Sequence, residues 1–269
     1  MNRFLIVLVF SLLLFSCEKE SKTWTFDRKI ELPAKARPLA LAKTGDDLWF
    51  SDPDQFRLLK IDLSGNVLDS IVGIERPMNI GFNKGKLYVP EFLTDTIWVF
   101  ENGKKSPLDL NAKPEAPAGL DVKSDTIAVA DFYNNRIILQ INGQVSFIGK
   151  EGHDSGELYY PIDVKIQEDK IYVADAYNNR VQVFDLKGRL IQVLGQQDGL
   201  NVASAIDLKG NFIAVTDQEN SRVLIFNIDG SLFQILKSNI NYPTDVLLDG
   251  NTLYIANFKE NSISVYSAR

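Results

Sequence analysis

An acid and an arginine recur five residues apart along this chain, as Asp52 with Arg57, Asp131 with Arg136, Asp175 with Arg180 and Asp217 with Arg222. A carboxylate and a guanidinium at that spacing can do two kinds of work. They can form a ring of alternating charge that meets a ligand, or pair with each other to tie down a turn or bridge to a neighbouring unit. A site needs different groups converging from different parts of a fold, whereas a joint needs the same group in each part. Regular recurrence therefore assigns the four pairs a structural role. Beside the repeated acidic positions stand Phe92, Phe132, Tyr133, Tyr177 and Phe258, with Phe56 a little further off. Any one of these rings could serve as packing. If the turns that carry them gather at one end of the fold, they form a platform of the kind that binds a partner or ligand.

The elements that would position these residues are short strands. The segment Tyr160 to Gly195 reads YPIDVKIQEDKIYVADAYNNRVQVFDLKGRLIQVLG, four β-branched runs separated by tight turns. The same unit returns along the chain. Pro38, Pro77, Pro117, Pro161, Ala203 and Pro243 each stand fourteen residues before Asp52, Glu91, Asp131, Asp175, Asp217 and Asn257. An aliphatic residue follows each opening position at the third place: Leu41, Ile80, Leu120, Val164, Ile206 and Val246. Six repeats, opening 39 to 44 residues apart, define a repeat architecture.

A four-stranded sheet that is apolar on both faces must pack against its neighbours, and six of them do so as the blades of a propeller around an axis. The sixth repeat supplies only three strands before the chain ends at Arg269, and Trp24 to Leu32 fits no position of the first repeat. That segment is expected to add as the outer strand of the last blade, which covers an open edge and closes the ring. The fold class is therefore an all-β, six-bladed propeller of four-stranded antiparallel blades, closed by an N-terminal strand.

The first residues read differently. Asn2 and Arg3 precede an apolar run, Phe4 to Phe15, that is too short to span a bilayer as a helix and has the layout of a secretory signal. The ending LFSC resembles the lipobox of bacterial lipoproteins, which implies lipidation of Cys17, the single cysteine of the chain. The expected organisation is a signal peptide over 1–16, a lipidated cysteine and tether over 17–23, and the propeller over 24–269. The protein would then sit in the cell envelope, anchored to a bacterial membrane. Glu18 and Glu20 weakly resemble surface-export signals of Bacteroidetes-type lipoproteins.

The run YPIDVKI…IYVADAYNNRVQVFDLKG resembles an NHL repeat, and the third and fifth repeats (PAGLDV…IAVADFYNNRIILQING and AIDLKGNFIAVTDQENSRVLIFNIDG) are similar to it. The resemblance implies a propeller and leaves function open, since propellers of this type serve as enzymes, RNA-binding proteins and protein-binding modules. The chain's formal net charge of −6 argues against a nucleic-acid backbone as ligand. Amidating-lyase relatives hold zinc with several histidines; a single histidine, His153, excludes such a centre. His153 lies beside Asp154 and Ser155 in the long loop KEGHDSGELY, which reads as a polar connection, because triad members are assembled by the fold and not by adjacency. First-strand acids Asp121, Asp163, Asp207 and Asp245, with Asn79, could face the axis. Of these, Asp163 and Asp245 are the weak candidates for a Ca²⁺ ion, and no other cofactor is expected. P-loop, dinucleotide and nucleophile-elbow motifs are absent.

On these grounds the chain is expected not to be an enzyme. It is read as a protein-binding or scaffolding module whose partner is another cell-envelope protein, with no nucleic acid. The alternatives are a cation-dependent lactonase- or lyase-like propeller enzyme, and a glycan or small-ligand receptor.

Overall fold

The computed structural model describes residues 23–269. The readings placed on the signal segment and on Cys17 lie outside the described residues.

Six four-stranded antiparallel sheets are present, and in five of them the strands follow one another in chain order. The fourth blade shows the plan. Its strands are Pro161–Gln167, Lys170–Asp175, Arg180–Asp185 and Leu190–Leu194, running outward from the axis. The sixth departs from it as the chain ends require. Pro243–Asp249, Thr252–Asn257 and Ser262–Ala268 are completed by Trp24–Glu31, which pairs antiparallel with the last of them from Trp24 opposite Ala268 to Glu31 opposite Ser262. Thr23 and Arg269 exchange backbone hydrogen bonds just beyond, so the two ends of the described chain are joined.

Closure is secured from a second side. Gln234, on the outer strand of the fifth blade, donates from its amide to the Trp24 carbonyl and accepts from the Trp24 N–H, each at 2.8 Å. The Trp24 ring is buried between blades five and six with Leu236, Val246 and Leu253. A strand that arrives from the opposite end of the chain is thus held by main chain, side chain and core together.

The core is divided into six clusters, one at each blade–blade junction. The six aliphatics at the third place of each repeat are all buried in them. The reason is the period of two along a strand. On each first strand the odd positions face the preceding blade, and the even ones face the next blade and the axis. Axial positions hold Asn79, Asp121, Asp163, Lys165, Asp207 and Asp245.

Four of the six repeated turns join the blades in the same way. Four residues after each repeated acidic position stands a residue with left-handed backbone: Phe56, Asp95, Asn135, Asn179, Ser221 and Asn261. Short polar side chains tolerate that conformation because they bond locally. Here they bond forward. Asp95, Asn135 and Asn179 accept the N–H of Ala116, Tyr160 and Val202 in the next blade at 2.7–2.9 Å, and Ser221 accepts that of Tyr242 at 3.2 Å.

Candidate functional site

The acid–arginine pairs act within blades. Asp175 is fully buried; it accepts from Arg180 Nε at 2.7 Å and from the Tyr159 N–H at 2.7 Å. The rest of the Arg180 guanidinium donates to the carbonyls of His153, Asp154 and Glu157, so the pair fastens the long entry loop of blade four to its second-to-third-strand turn. Asp217 and Arg222 repeat this with the carbonyls of Asp198 and Gly199. Asp131 pairs with Arg136 at 2.7 Å and takes the Glu115 N–H, and Asp52 pairs with Arg57 at 2.9 Å and takes the Arg37 N–H. In blade two Glu91 replaces the aspartate, and hydrogen bonds from Thr94, Trp98 and the Glu75 N–H hold it below its ordinary range against the cost of burial. These groups are engaged with their own loops and do not form an open charged ring.

The aromatics divide. Phe132 meets Phe92 and Tyr133 edge to face and Phe92 meets Tyr133 at a tilt, with centroids 5.2–5.6 Å apart. Tyr177 reaches them only through Tyr160, which lies 4.9 Å from Phe132 and 5.2 Å from Tyr177. Tyr159 packs at a tilt against Tyr160 at 4.6 Å, and His153 against Tyr159 at 4.8 Å. The result is an arc across blades two to four, with the Arg76 guanidinium 4.9 Å over Phe92 at one end and His153 at the other. Phe258 is not part of it. It lies under Arg37 and lines, with Phe56, Leu93, Met78 and Arg76, a cavity of about 460 Å³ on blades six, one and two. Arg76 borders both, so arc and cavity are continuous.

Sequence reasoning left out Tyr159 and Tyr160 and read His153 as part of a polar connection. Tyr160 had a usable signal: it directly precedes the opening proline, as Arg76 and Tyr242 do, and all three adopt left-handed backbone.

His153 is held in one orientation. Its Nδ1 lies 2.6 Å from Asn178 Oδ1. The Asn178 amide nitrogen faces both Asp175 oxygens and the Gly152 carbonyl, partners that only accept, so the oxygen of the amide must face the ring. An amide oxygen cannot donate; Nδ1 therefore carries a proton, and in the neutral ring the lone pair is on Nε2. His153 is exposed, and Nε2 has no hydrogen bond within the described residues. The loop that presents it turns at Gly149 (φ +82°), where a Cβ would stand 2.5 Å from Leu158. A buried carboxylate, an amide and an imidazole in sequence give an oriented base at the rim of the aromatic arc.

The axis is built otherwise. Asp163 accepts the Ile206 N–H and lies 3.2 Å from Lys165 Nζ. Asp245 accepts the N–H groups of Val246 and Leu41, Asp121 that of Ile166, and Asp207 that of Leu248, each reaching a neighbouring first strand. The candidate cation ligands Asp163 and Asp245 thus work as struts between blades, and the positive charge among them is the chain's own Lys165. Among the described residues no group of three or more acids, histidines or cysteines is arranged to hold a metal ion. The residues present do not fit a bound Ca²⁺.

Burial pushes the Asp245 carboxyl up to about 8 and that of Asp207 to about 6, although Lys165 opposes both. Burial alone would lower Lys165, but Asp163 and then Asp245 hold its ammonium above the usual lysine range.

Comparison with known proteins gives three kinds of result. Residues 158–184 match the NHL repeat. No curated protein matches the chain. Among solved structures, virginiamycin B lyase from Staphylococcus aureus superimposes with a TM-score of 0.66 at 13% identity, over 91% of this chain and 99% of the lyase. A catalytically inactive histidine-to-alanine variant of that lyase with quinupristin gives 0.65 at 14%, over 91% and 99%. The WD40 β-propeller domain of Doa1 gives 0.62 at 16% identity, over 85% of this chain and 78% of the domain.

These likenesses are of fold, and one architecture thus serves lyases and a WD40 propeller alike. They overturn the expectation that the chain is not an enzyme. That expectation rested on missing motifs, and the lyases share this scaffold over nearly its whole length. The chain is a six-bladed β-propeller of the kind associated with NHL repeats, with the repeat itself recognisable at residues 158–184.

Proposed function

We propose that the protein is an enzyme of lyase type, working at the aromatic mouth of the propeller with His153 as its general base. The observation that carries the reading is the Asp175–Asn178–His153 chain, which fixes the imidazole tautomer and leaves Nε2 free to take a proton. The aromatic arc holds an apolar or ring-bearing substrate against it. In the reaction, Nε2 removes a proton from carbon beside a carbonyl, the electron pair becomes a carbon–carbon double bond, and a carbon–oxygen bond breaks with its electrons leaving on oxygen. Atoms are conserved, so a ring ester opens without gaining water. Support comes also from the lyases that share the scaffold, one of which is inactive when a histidine is replaced by alanine. Lipidation at Cys17 and residence in the cell envelope belong to the same proposal.

The test is incubation of the protein with quinupristin and a panel of cyclic esters, followed by mass spectrometry. Ring opening with unchanged mass, lost in His153→Ala, is the expected result. Products heavier by one water would assign a lactonase instead. Turnover unaffected by His153→Ala, or none across the panel, would refute the proposal.

A further inference from the structure

At the opposite end of the axis, where first strands turn into second strands, a cavity of about 260 Å³ opens among the inner strands of blades one, two, three, five and six, with Lys165 contributed by blade four. Its walls are charged with both signs. Most of those charges are already matched: Lys43 to Asp249 at 3.2 Å, Lys123 to Asp121 at 3.6 Å, and Lys165 to Asp163 at 3.2 Å. Three lining groups have no opposite charge within salt-bridge distance among the described residues: Asp207, Asp245 and Lys209.

Their placement is ordered. Asp245 is buried, Asp207 is half-buried and Lys209 is exposed at the rim. Asp207 and Lys209 lie two residues apart on the strand Ala203–Lys209, hence on one face with Cα atoms roughly 7 Å apart. Asp207 accepts the Leu248 N–H with one oxygen and lies against the N–H of the adjacent Leu208, and no side chain donates to it. Two desolvated acids that share the single ammonium of Lys165 with Asp163 lie within, and the unpaired Lys209 stands at the entrance.

We propose that this cavity binds a small zwitterion of the amino-acid class, its ammonium between Asp207 and Asp245 and its carboxylate on Lys209. The volume suits a few heavy atoms, and the two free signs of charge select against a simple anion. The site is separate from His153, so it stands or falls apart from the lyase reading.

Isothermal titration with glycine, γ-aminobutyrate, methylamine and calcium chloride tests it on the full chain, with Lys209→Met, Asp207→Asn and His153→Ala as variants. Both axial variants are expected to fold: Lys209 is exposed, and the asparagine oxygen still accepts from Leu248. Glycine or γ-aminobutyrate should bind the parent. Lys209→Met should weaken them about tenfold, the factor that one charged contact commands, and leave methylamine unchanged. Asp207→Asn should weaken zwitterion and methylamine alike, and His153→Ala neither. Binding of Ca²⁺ in place of the organic probes, zwitterion binding indifferent to Lys209→Met, or no heat from any zwitterion would each overturn the proposal.

Discussion

Replacing Arg180 by methionine should separate a buried staple from its exposed counterparts. The Arg180 side chain is 3% exposed and Asp175 is fully buried, and one guanidinium satisfies that carboxylate and three loop carbonyls. Methionine keeps the stem but leaves the carboxylate without its ion pair, a loss of ~3–5 kcal/mol for a buried pair broken on one side. Arg57 makes the same pair with Asp52 but is 26% exposed, and water can replace it; Arg57→Met should cost about 1 kcal/mol. For a chain of this size the difference corresponds to a melting temperature lowered by roughly 10 °C in the first case and roughly 3 °C in the second. Thermal unfolding followed by circular dichroism reads both. Limited proteolysis should also cut the loop 150–159 in Arg180→Met at a temperature where the parent resists, because its carbonyls are no longer held. Equal melting of the two variants, with the loop equally protected, would refute the assignment of Arg180 as the loop's fastener.

Further outcomes follow from closure and from the axis. Deleting residues 22–33 removes the outer strand of blade six and the Trp24 core contact; the protein should aggregate or unfold on expression, and a deletion variant that melts like the parent would show the ring closed by other means. The axial acids give stability a pH slope. A carboxyl held above its unfolded value contributes fully below about pH 4 and loses that contribution as pH rises through the folded value. For Asp245 the loss therefore runs up to about 8, and for Asp207 up to about 6. Urea unfolding between pH 5 and 9, as an approximate window from those values, should show a shallower decline in Asp245→Asn than in the parent; an unchanged slope would remove Asp245 from the account.

The architecture was legible in the sequence because a propeller repeats its physics. Each blade needs the same buried aliphatic at the third place, the same turn acid and the same alternation, so Leu41 and Val246 announce equivalent positions across 205 residues. The missing outer strand of the sixth repeat was equally plain, because an unpaired edge must be covered and Trp24 to Leu32 had no other place. The turn clasps were only half visible: Asn135 and Asn179 recur after the acid, but that their amides reach into the next blade requires knowing which loops adjoin.

The candidate sites depended on convergence, which a repeat pattern cannot express. His153 looked like part of a polar loop, and only the fold brings Asn178 and buried Asp175 behind it to fix its proton. Phe258 and Tyr177 occupy related turn positions, yet one joins the aromatic arc and the other lines a cavity two blades away. Lys165 carried no signal as a counter-charge, since its carboxylate neighbours come from four different blades. Sequence determined what every blade shares, because local pattern and burial act alike in each. The tertiary structure decided what differs, because charge pairing, tautomer and cavity depend on which unlike residues the closed ring sets face to face.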